Sequence, residues 1–426
     1  MNTPIHDFLY EYSLKRPVRC HMPGGKGRNY PFDITEIKGA DCLYEATGII
    51  GESEDNTARL YGSGAVCYSC GGSTLSIQTM LALAKRITGK STVIAGRYSH
   101  RSFINSCVML DLKPKWVYPE RFLSSEISPE EIERAIDEDT AAVFINSIDY
   151  YGGMSDIKGI SRVCEEKGVL LLVDNAHGAY TVFTGNHPIT LGADMSADSA
   201  HKTLPALTGT SFLHLKAKEL KPQAKELMAL FGSTSPSYLM LESLDLCNNF
   251  VERGEGVAKE MIKRISDLKN KLLQRGIILR DSDPMRITIN ANRHGYTGFD
   301  FAEELRNSGV ECEMCDEKYV VLLFSVAQPP EDFDKVFSAT IDIRKKLNIK
   351  SQGRDIIKPV AEMLPREAFF SESETVPLGE ATGRICSGIV CPCPPCIPMA
   401  MPGEIISDEL EALLKKYNAE EIRVVK

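Results

Sequence analysis

Apolar residues recur at two different spacings between Ala65 and about Leu215. Short β-branched runs alternate there with stretches in which an apolar residue returns every three or four positions. In the clearest unit, buried strands at residues 142–146 and 169–173 flank an amphipathic helix that ends at Gly168. This alternation of strand, helix and strand predicts a mostly parallel sheet with helices packed on it.

A second pattern follows Leu215, where the alternation fades. An amphipathic stripe over residues 261–272 stops at Gly276, and strand-like runs at 285–289 and 319–324 lie on either side of another helical stretch. This pattern predicts a smaller α/β unit. A segment dense in proline and cysteine, residues 390–402, predicts extended loop. We therefore expect four units, at residues 1–40, 41–260, 261–355 and 356–426.

Composition narrows the class of protein. Of the 426 residues, 43% are hydrophobic and 25% are charged, as in globular proteins rather than disordered chains or coiled-coil rods. The 58 acidic and 49 basic residues give a net charge of −9, and no basic block is present to bind nucleic-acid phosphates. Apolar runs are far shorter than the roughly 20 residues that cross a bilayer, and the N-terminus lacks a secretory pattern. We expect a cytoplasmic protein that binds neither membrane nor nucleic acid, with mostly reduced cysteines.

Two titratable side chains follow the strand at residues 169–173. Asp174 and His177 lie at the edge where open α/β sheets bind ligands, although Asp174 alone could equally cap a helix. About 28 residues later, Lys202 lies in a small polar loop that ends at Pro205. A lysine reacts as a covalent amine when its surroundings lower its pKa, whereas a lysine beside a histidine is more often a solvated surface residue.

An anion site is predicted further upstream. Gly71 and Gly72 precede Ser73 and Thr74 at the start of an apolar helix, where hydroxyls and free backbone amides bind phosphate. A tight turn with a helix cap is the alternative. His100 follows the next strand, at the same edge of the sheet. Together the four sites supply a phosphate cradle, an aromatic ring, an acid for a pyridine nitrogen and an amine for an aldehyde, which is the set that pyridoxal phosphate (PLP) requires.

Ten short motifs run along most of the chain. They lie at residues 19–24, 31–36, 72–74, 150–152, 155–157, 173–178, 201–205, 320–325, 394–398 and 402–404. Together they resemble the Orn/Lys/Arg decarboxylase family, which has the aspartate-aminotransferase fold of PLP enzymes, fold type I. The resemblance implies a seven-stranded, mostly parallel sheet in a PLP-binding large domain, followed by a smaller α/β region and a C-terminal decarboxylase-type domain. It also implies decarboxylation of lysine, ornithine or arginine to the amine and CO2.

The resemblance assigns roles to individual residues. Cofactor binding is implied for nine of them, namely Ser73, Thr74, His100, Asp174, Ala176, His177, Ser199, His201 and Lys202. Four of these are the expected catalytic residues: Lys202 would carry the cofactor, Asp174 would pair with its pyridine nitrogen, His100 would stack on its ring and His177 would lie close by. Glu404 would face the cationic end of the substrate. No metal is expected at the site.

The resemblance also bears on assembly and substrate. Large members of the family begin with an extra domain for which no space precedes His21, so we expect the short form. We expect a homodimer with shared active sites, to which residues 392–404 contribute. Three positions depart from the family pattern: Gly25 replaces a histidine, Asn175 a glutamate and Gly209 a glutamine. These changes leave open a different reaction on the same scaffold, by an aminotransferase or a lyase.

Cysteine spacing raises two further alternatives. Three pairs have the two-residue gap of zinc ligands: Cys67 and Cys70, Cys312 and Cys315, and Cys393 and Cys396. The first pair lies in a strand-like run and no histidine has zinc-finger spacing, so a structural zinc site is disfavoured. A redox role for Cys391, Cys393 and Cys396 is the other alternative, against simple packing of thiols.

Overall fold

The computed structural model describes residues 1–23, 29–350, 356–392 and 397–426. Gly25, Cys393 and Cys396, which the sequence singled out, lie outside the described residues, as do residues 394–395 of the proline-rich motif. Within the described part of the chain, no helix is both long and apolar enough to cross a membrane.

The strands form three sheets. They are β1 (Ala65–Ser69), β2 (Thr92–Gly96), β3 (Lys113–Val117), β4 (Thr140–Asn146), β5 (Leu170–Asp174), β6 (Met195–Asp198), β7 (Ser211–Leu215), β8 (Leu279–Arg280), β9 (Arg286–Asn290), β10 (Met314–Cys315), β11 (Tyr319–Leu323), β12 (Ser373–Pro377) and β13 (Glu421–Val425). The largest sheet has the order β1-β7-β6-β5-β4-β2-β3. Strands β2 to β6 pair in parallel, whereas β7 is antiparallel to β1 and β6. The predicted seven-stranded, mostly parallel sheet is confirmed.

Helices cover the sheets and join them. They are α1 (Pro4–Lys15), α2 (Ile49–Tyr61), α3 (Gly72–Thr88), α4 (Arg101–Leu110), α5 (Pro129–Ala135), α6 (Ile157–Lys167), α7 (Ala200–Thr203), α8 (Lys221–Phe231), α9 (Tyr238–Arg253), α10 (Glu255–Gln274), α11 (Gly298–Asn307), α12 (Glu331–Asp342), α13 (Pro365–Phe370) and α14 (Asp408–Lys416). Their ends follow local chemistry. The Ser128 side chain caps α5 by accepting the Glu131 N–H at 3.2 Å, and α6 ends at Gly168, whose φ of +65° suits glycine.

The central strands are apolar throughout because both faces of the sheet are covered. Successive residues of a strand point to opposite faces. Phe144 of β4 and Leu172 of β5 accordingly pack in one core with α3 and α4, while Val143, Ile145 and Leu171 pack in another with α5 and α6. A run of apolar residues in the sequence therefore marks a strand buried on both sides.

Helix α10 joins the large sheet to the second, four-stranded sheet, whose order is β10-β11-β9-β8. The boundary expected between residues 260 and 261 lies inside this helix. The apolar stripe of α10 belongs to one continuous core that also holds Tyr68 of β1, Ile287 of β9 and Val320 of β11. The two sheets therefore share a core, while β12 and β13 form a separate two-stranded sheet near the C-terminus.

A buried ion pair attaches the C-terminal part to the large sheet. The guanidinium of Arg97, directly after β2, donates from Nη1 to Glu404 Oε1 at 2.6 Å and from Nη2 to Oε2 at 3.0 Å. Both side chains are almost fully buried, at 2% and 3% exposure. Arg97 also donates to the carbonyl of Met399 at 2.9 Å, and Glu404 Oε2 accepts the Met401 N–H at 3.0 Å. The pair is thus satisfied on both sides by the chain itself.

We expect Glu404→Gln to lower the free energy of unfolding by about 3 kcal/mol, because it leaves the buried Arg97 charge without its partner. Urea unfolding followed by circular dichroism measures this change. Glu372→Gln is the matched control, since Glu372 is 80% exposed in its ion pair with Lys426, and exposed pairs contribute little. Equal destabilisation by the two substitutions would contradict a structural role for the buried pair.

Candidate active site

A cavity lies at the carboxyl ends of the parallel strands. It encloses about 450 Å³ including its open mouth. Six of the residues predicted from the sequence line it: Ser73, His100, Asp174, Ala176, His177 and Lys202. Glu404 does not line it, because its carboxylate is held by Arg97. Within one chain the structure therefore gives no support to the expected contact between Glu404 and substrate.

Lys202 and His177 meet in this cavity. Lys202 lies on the short helix α7 after β6, and its Nζ is 3.0 Å from His177 Nε2. Burial lowers the pKa of Lys202, against the opposing effect of the Asp174 charge. Burial, and then the Lys202 charge, lowers the pKa of His177 well below its usual value. A neutral imidazole is thus the acceptor for the amine, and desolvation favours the amine in its reactive, uncharged form.

Asp174 ends β5 with its carboxylate in the cavity. The residue is 4% exposed, and its Oδ1 accepts the Ala176 N–H at 3.0 Å. Burial raises the pKa of Asp174, so the ionised form is destabilised unless a cation pairs with it. A protonated pyridine nitrogen is such a cation. Ala176 lies two residues after Asp174 in the chain.

His100 is held as a neutral ring by the start of α4. Its Nδ1 accepts the Ser102 N–H at 3.2 Å and lies 2.8 Å from Ser102 Oγ. This capping bond assigns the proton to Nε2. Burial, followed by the Lys202 charge, lowers the pKa of His100 to about 4. A neutral planar ring at the wall of the cavity suits stacking against a flat cofactor.

The predicted phosphate cradle is built from three segments. Helix α3 begins at Gly72, so Ser73 and Thr74 stand in its first turn, and Ser73 Oγ accepts a hydrogen bond from Ser199 Oγ at 3.0 Å. Gly72 donates its N–H to the Gly209 carbonyl at 2.8 Å. Gly209, one of the departures from the family pattern, has a φ of +88°, which disfavours a side chain in this conformation.

His201 lies next to Lys202 but is engaged elsewhere. Its Nδ1 donates to the Thr210 carbonyl at 3.0 Å, and Nε2 is the ring nitrogen that this bond does not use. Burial lowers the pKa of His201. The residues of this region fit PLP: an amine with a lowered pKa, a desolvated carboxylate, a neutral ring, and hydroxyls at the start of a 17-residue helix.

Some residues that the sequence did not assign line the cavity, among them Tyr150, while Arg286 acts on the site through its charge. Tyr150 lines the cavity, and its ring stands edge-on to that of His177 with 5.0 Å between centroids. Its place four residues after the end of β4 and inside a family motif was the available signal. Arg286 of β9 is fully buried, and its charge helps to lower the pKa of both His177 and Lys202. Nothing in the pattern around Arg286 pointed to the site.

The described cysteines do not form the alternative zinc site. Among the described residues, the one group of three potential metal ligands is His187, Asp198 and His214, which contains no cysteine. Burial raises the pKa of Cys67 to about 12, away from the thiolate that zinc requires. Burial also raises the pKa of Cys391, as expected for a packed thiol rather than a reactive one.

Comparison with known proteins identifies the family to which the chain belongs. The family described as "Orn/Lys/Arg decarboxylase, major domain" matches residues 15–291, and its C-terminal domain matches residues 351–421. The arginine decarboxylase of Bacillus subtilis (strain 168) is 29% identical, over 96% of this chain and 92% of the relative. That of Bacillus anthracis is 27% identical, over 98% and 93%. The crystal structure of the Francisella novicida lysine decarboxylase has a TM-score of 0.83 at 17% identity and covers 100% of this chain and 81% of that chain.

The fold and the site define a fold type I enzyme of the PLP class. The chain belongs to the Orn/Lys/Arg decarboxylase family. The predicted family, fold and basic amino-acid decarboxylase activity are confirmed, in preference to the aminotransferase or lyase alternative.

We expect the stability of the cofactor-free protein to fall as the pH drops below about 6.5, because unfolded histidines take up protons that the folded site excludes. For His100, with its pKa of about 4, this loss amounts to about 2 kcal/mol between pH 6.5 and pH 5. His100→Asn keeps a capping acceptor for the Ser102 N–H but removes the titrating group. The variant should therefore lose less stability over this pH range than the parent. Identical pH dependence of the two in urea unfolding would contradict the assignment.

Proposed function

We propose that the chain removes the α-carboxylate of a basic amino acid with PLP held by Lys202. The observation that carries this proposal is the meeting, in one cavity, of the Lys202 amine, the Asp174 carboxylate and the neutral His177 ring. When bound, PLP supplies a sink for the electron pair left behind by the departing carboxylate. The chain contributes the groups that bind the cofactor, orient it and move protons.

The proposed role of each side chain follows from its surroundings. Lys202, partly buried and with a lowered pKa, offers a free amine to the cofactor aldehyde. Asp174 gains most from an adjacent cation, since burial penalises its lone charge, and it would keep the pyridine nitrogen protonated. His100 and Ala176 would contact the two faces of the ring. Ser73, Thr74, Ser199 and His201 would bind the phosphate.

The contact between Lys202 and His177 supports a proton path. With Nζ and Nε2 3.0 Å apart, a proton can pass between the amine and the imidazole without a bridging water. Either group can then return a proton to the carbon that has lost its carboxylate. Tyr150 packs against the His177 ring and fixes its plane.

Arginine is the first substrate to test, because the two Bacillus relatives described above, each aligned along more than nine-tenths of its length, are named arginine decarboxylases. The net charge of −9 also favours approach of a cationic substrate. We further propose a cytoplasmic homodimer. The separate sheet of β12 and β13 supports the proposed domain limit at residue 356, whereas the proposed limit at residue 261 falls within α10.

Lys202→Ala should abolish both the yellow colour of the PLP-loaded protein and CO2 release, because the amine that holds the cofactor is lost. Asp174→Ala should still bind the cofactor but lose nearly all turnover, since the pyridine nitrogen loses its counter-charge. Absorbance spectra and CO2 release measure both. Lys216→Ala is a suitable control, because Lys216 is a surface lysine outside the cavity. An active Lys202→Ala protein would refute the site.

Product analysis tests the reaction and the substrate together. Mass spectrometry after incubation with arginine, lysine or ornithine should detect the corresponding amine with an equal amount of CO2. The wild-type protein should prefer one of the three substrates. Formation of a keto acid without CO2 would refute decarboxylation by this chain.

A further inference from the structure

A buried polar network lies behind the turn that carries Asp174 and His177. It consists of Asn175, Asp198 and His187, which are 0%, 0% and 1% exposed. The Asn175 Nδ2 donates to Asp198 Oδ1 at 2.9 Å, and Asp198 Oδ2 lies 3.0 Å from His187 Nε2. We call these three residues the Asn175–Asp198–His187 network.

The side chain at position 175 must be both a donor and an acceptor. Its Nδ2 faces the Asp198 carboxylate, while its Oδ1 accepts a hydrogen bond from Ser147 Oγ at 2.6 Å. The Ser147 N–H in turn donates to the Asp174 carbonyl at 3.0 Å. An amide satisfies both neighbours, whereas a carboxylate at position 175 would face Asp198 without a proton between them.

Residue 175 also contacts the far end of the turn. The Gly178 N–H donates to the backbone carbonyl of Asn175 at 2.8 Å, and a Cβ built at Gly178 would lie 2.1 Å from the side-chain Oδ1 of Asn175. The Asn175 side chain therefore occupies the space beneath Gly178. The segment between them carries Ala176 and His177, whose places in the cavity depend on this packing.

Asp198 is anchored as an anion. Burial by itself would raise the pKa of its carboxyl, but His187 and His214 outweigh that effect and hold the pKa below its usual value. The second histidine stands farther off, with its Nε2 3.6 Å from Asp198 Oδ2. The carboxylate is thus a fixed acceptor on the neighbouring strand β6, against which the turn is held.

We propose that Asn175 is a positioning residue, and that the carboxylate of Asp198 is what requires an amide at this position beside Asp174. This inference rests on the proposed function, since the turn it positions is that of the PLP site. It accounts for the asparagine where the family pattern has a glutamate: a carboxylate at 175 and a carboxylate at 198 are incompatible in this buried place.

The test measures PLP affinity by titration of protein fluorescence at mildly alkaline pH, where carboxyl groups stay ionised. Asn175→Asp should weaken PLP binding by about tenfold or more, because a buried donor is replaced by a charge. Asn175→Asp with Asp198→Asn exchanges the two groups and should recover affinity to within about threefold. Asn248→Asp is the matched control, as Asn248 is equally buried and bonded but remote from the site. It should lower the melting temperature and leave PLP affinity unchanged.

Several outcomes would overturn the inference. Unchanged PLP affinity in Asn175→Asp would do so, as would a folded double variant that recovers nothing. Should Asn175→Asp fail to fold, Asn175→Ala takes its place, and an affinity equal to the parent's would again refute the role. One equivalent of a divalent metal that is lost in Asp198→Asn would make the network a metal site instead. Failure of the wild-type protein to bind PLP would refute the proposed function alone, since urea unfolding of the cofactor-free variants still reports the coupling of 175 and 198.

Discussion

The burial of the Lys202 amine is the constraint on which the rest of the site depends. Burial and the Arg286 charge favour the neutral amine, while the carboxylates of Asp174 and Glu313 favour the charged one. The balance leaves its pKa below the ordinary value. The histidines respond to the same environment, because the pKa values of both His100 and His177 are lowered by burial first and by Lys202 second. The cavity is therefore a set of mutually dependent protonation states rather than separate residues.

The sequence predicted those parts of the site that follow strand ends. Asp174 and His177 come directly after β5, and Lys202 follows β6, so the parallel sheet brings them together without further information. The phosphate cradle could also be predicted, because a glycine-rich start of a helix has a local signature in the sequence. The contact with Asp198 on β6 that fixes Asn175 has no such signature, since it depends on which strands become neighbours.

For Glu404, the role implied by the family resemblance and the contact in the structure disagree. Its motif near the C-terminus suggested a contact with substrate, but the structure places the carboxylate against Arg97, 307 positions away in the sequence. Spacing carries no information about such distant pairs. Arg286 was missed for the same reason, because its charge acts on the site from the second sheet. The site residues at the carboxyl edge of the large sheet could be predicted from the sequence, whereas those from other parts of the fold could not.

Helix α10 has a consequence for how substrate enters. The helix runs unbroken from Glu255 to Gln274, and its buried stripe belongs to a core shared by both sheets. Rotation of the second sheet away from the first would expose that core to water or bend a continuous helix. Either change requires much more free energy than a rearrangement of loops. The two sheets are thus held together by one core, whereas the cavity is lined by the large sheet, the segments that follow its strands and Ile397. A charged amino acid must therefore enter past those segments.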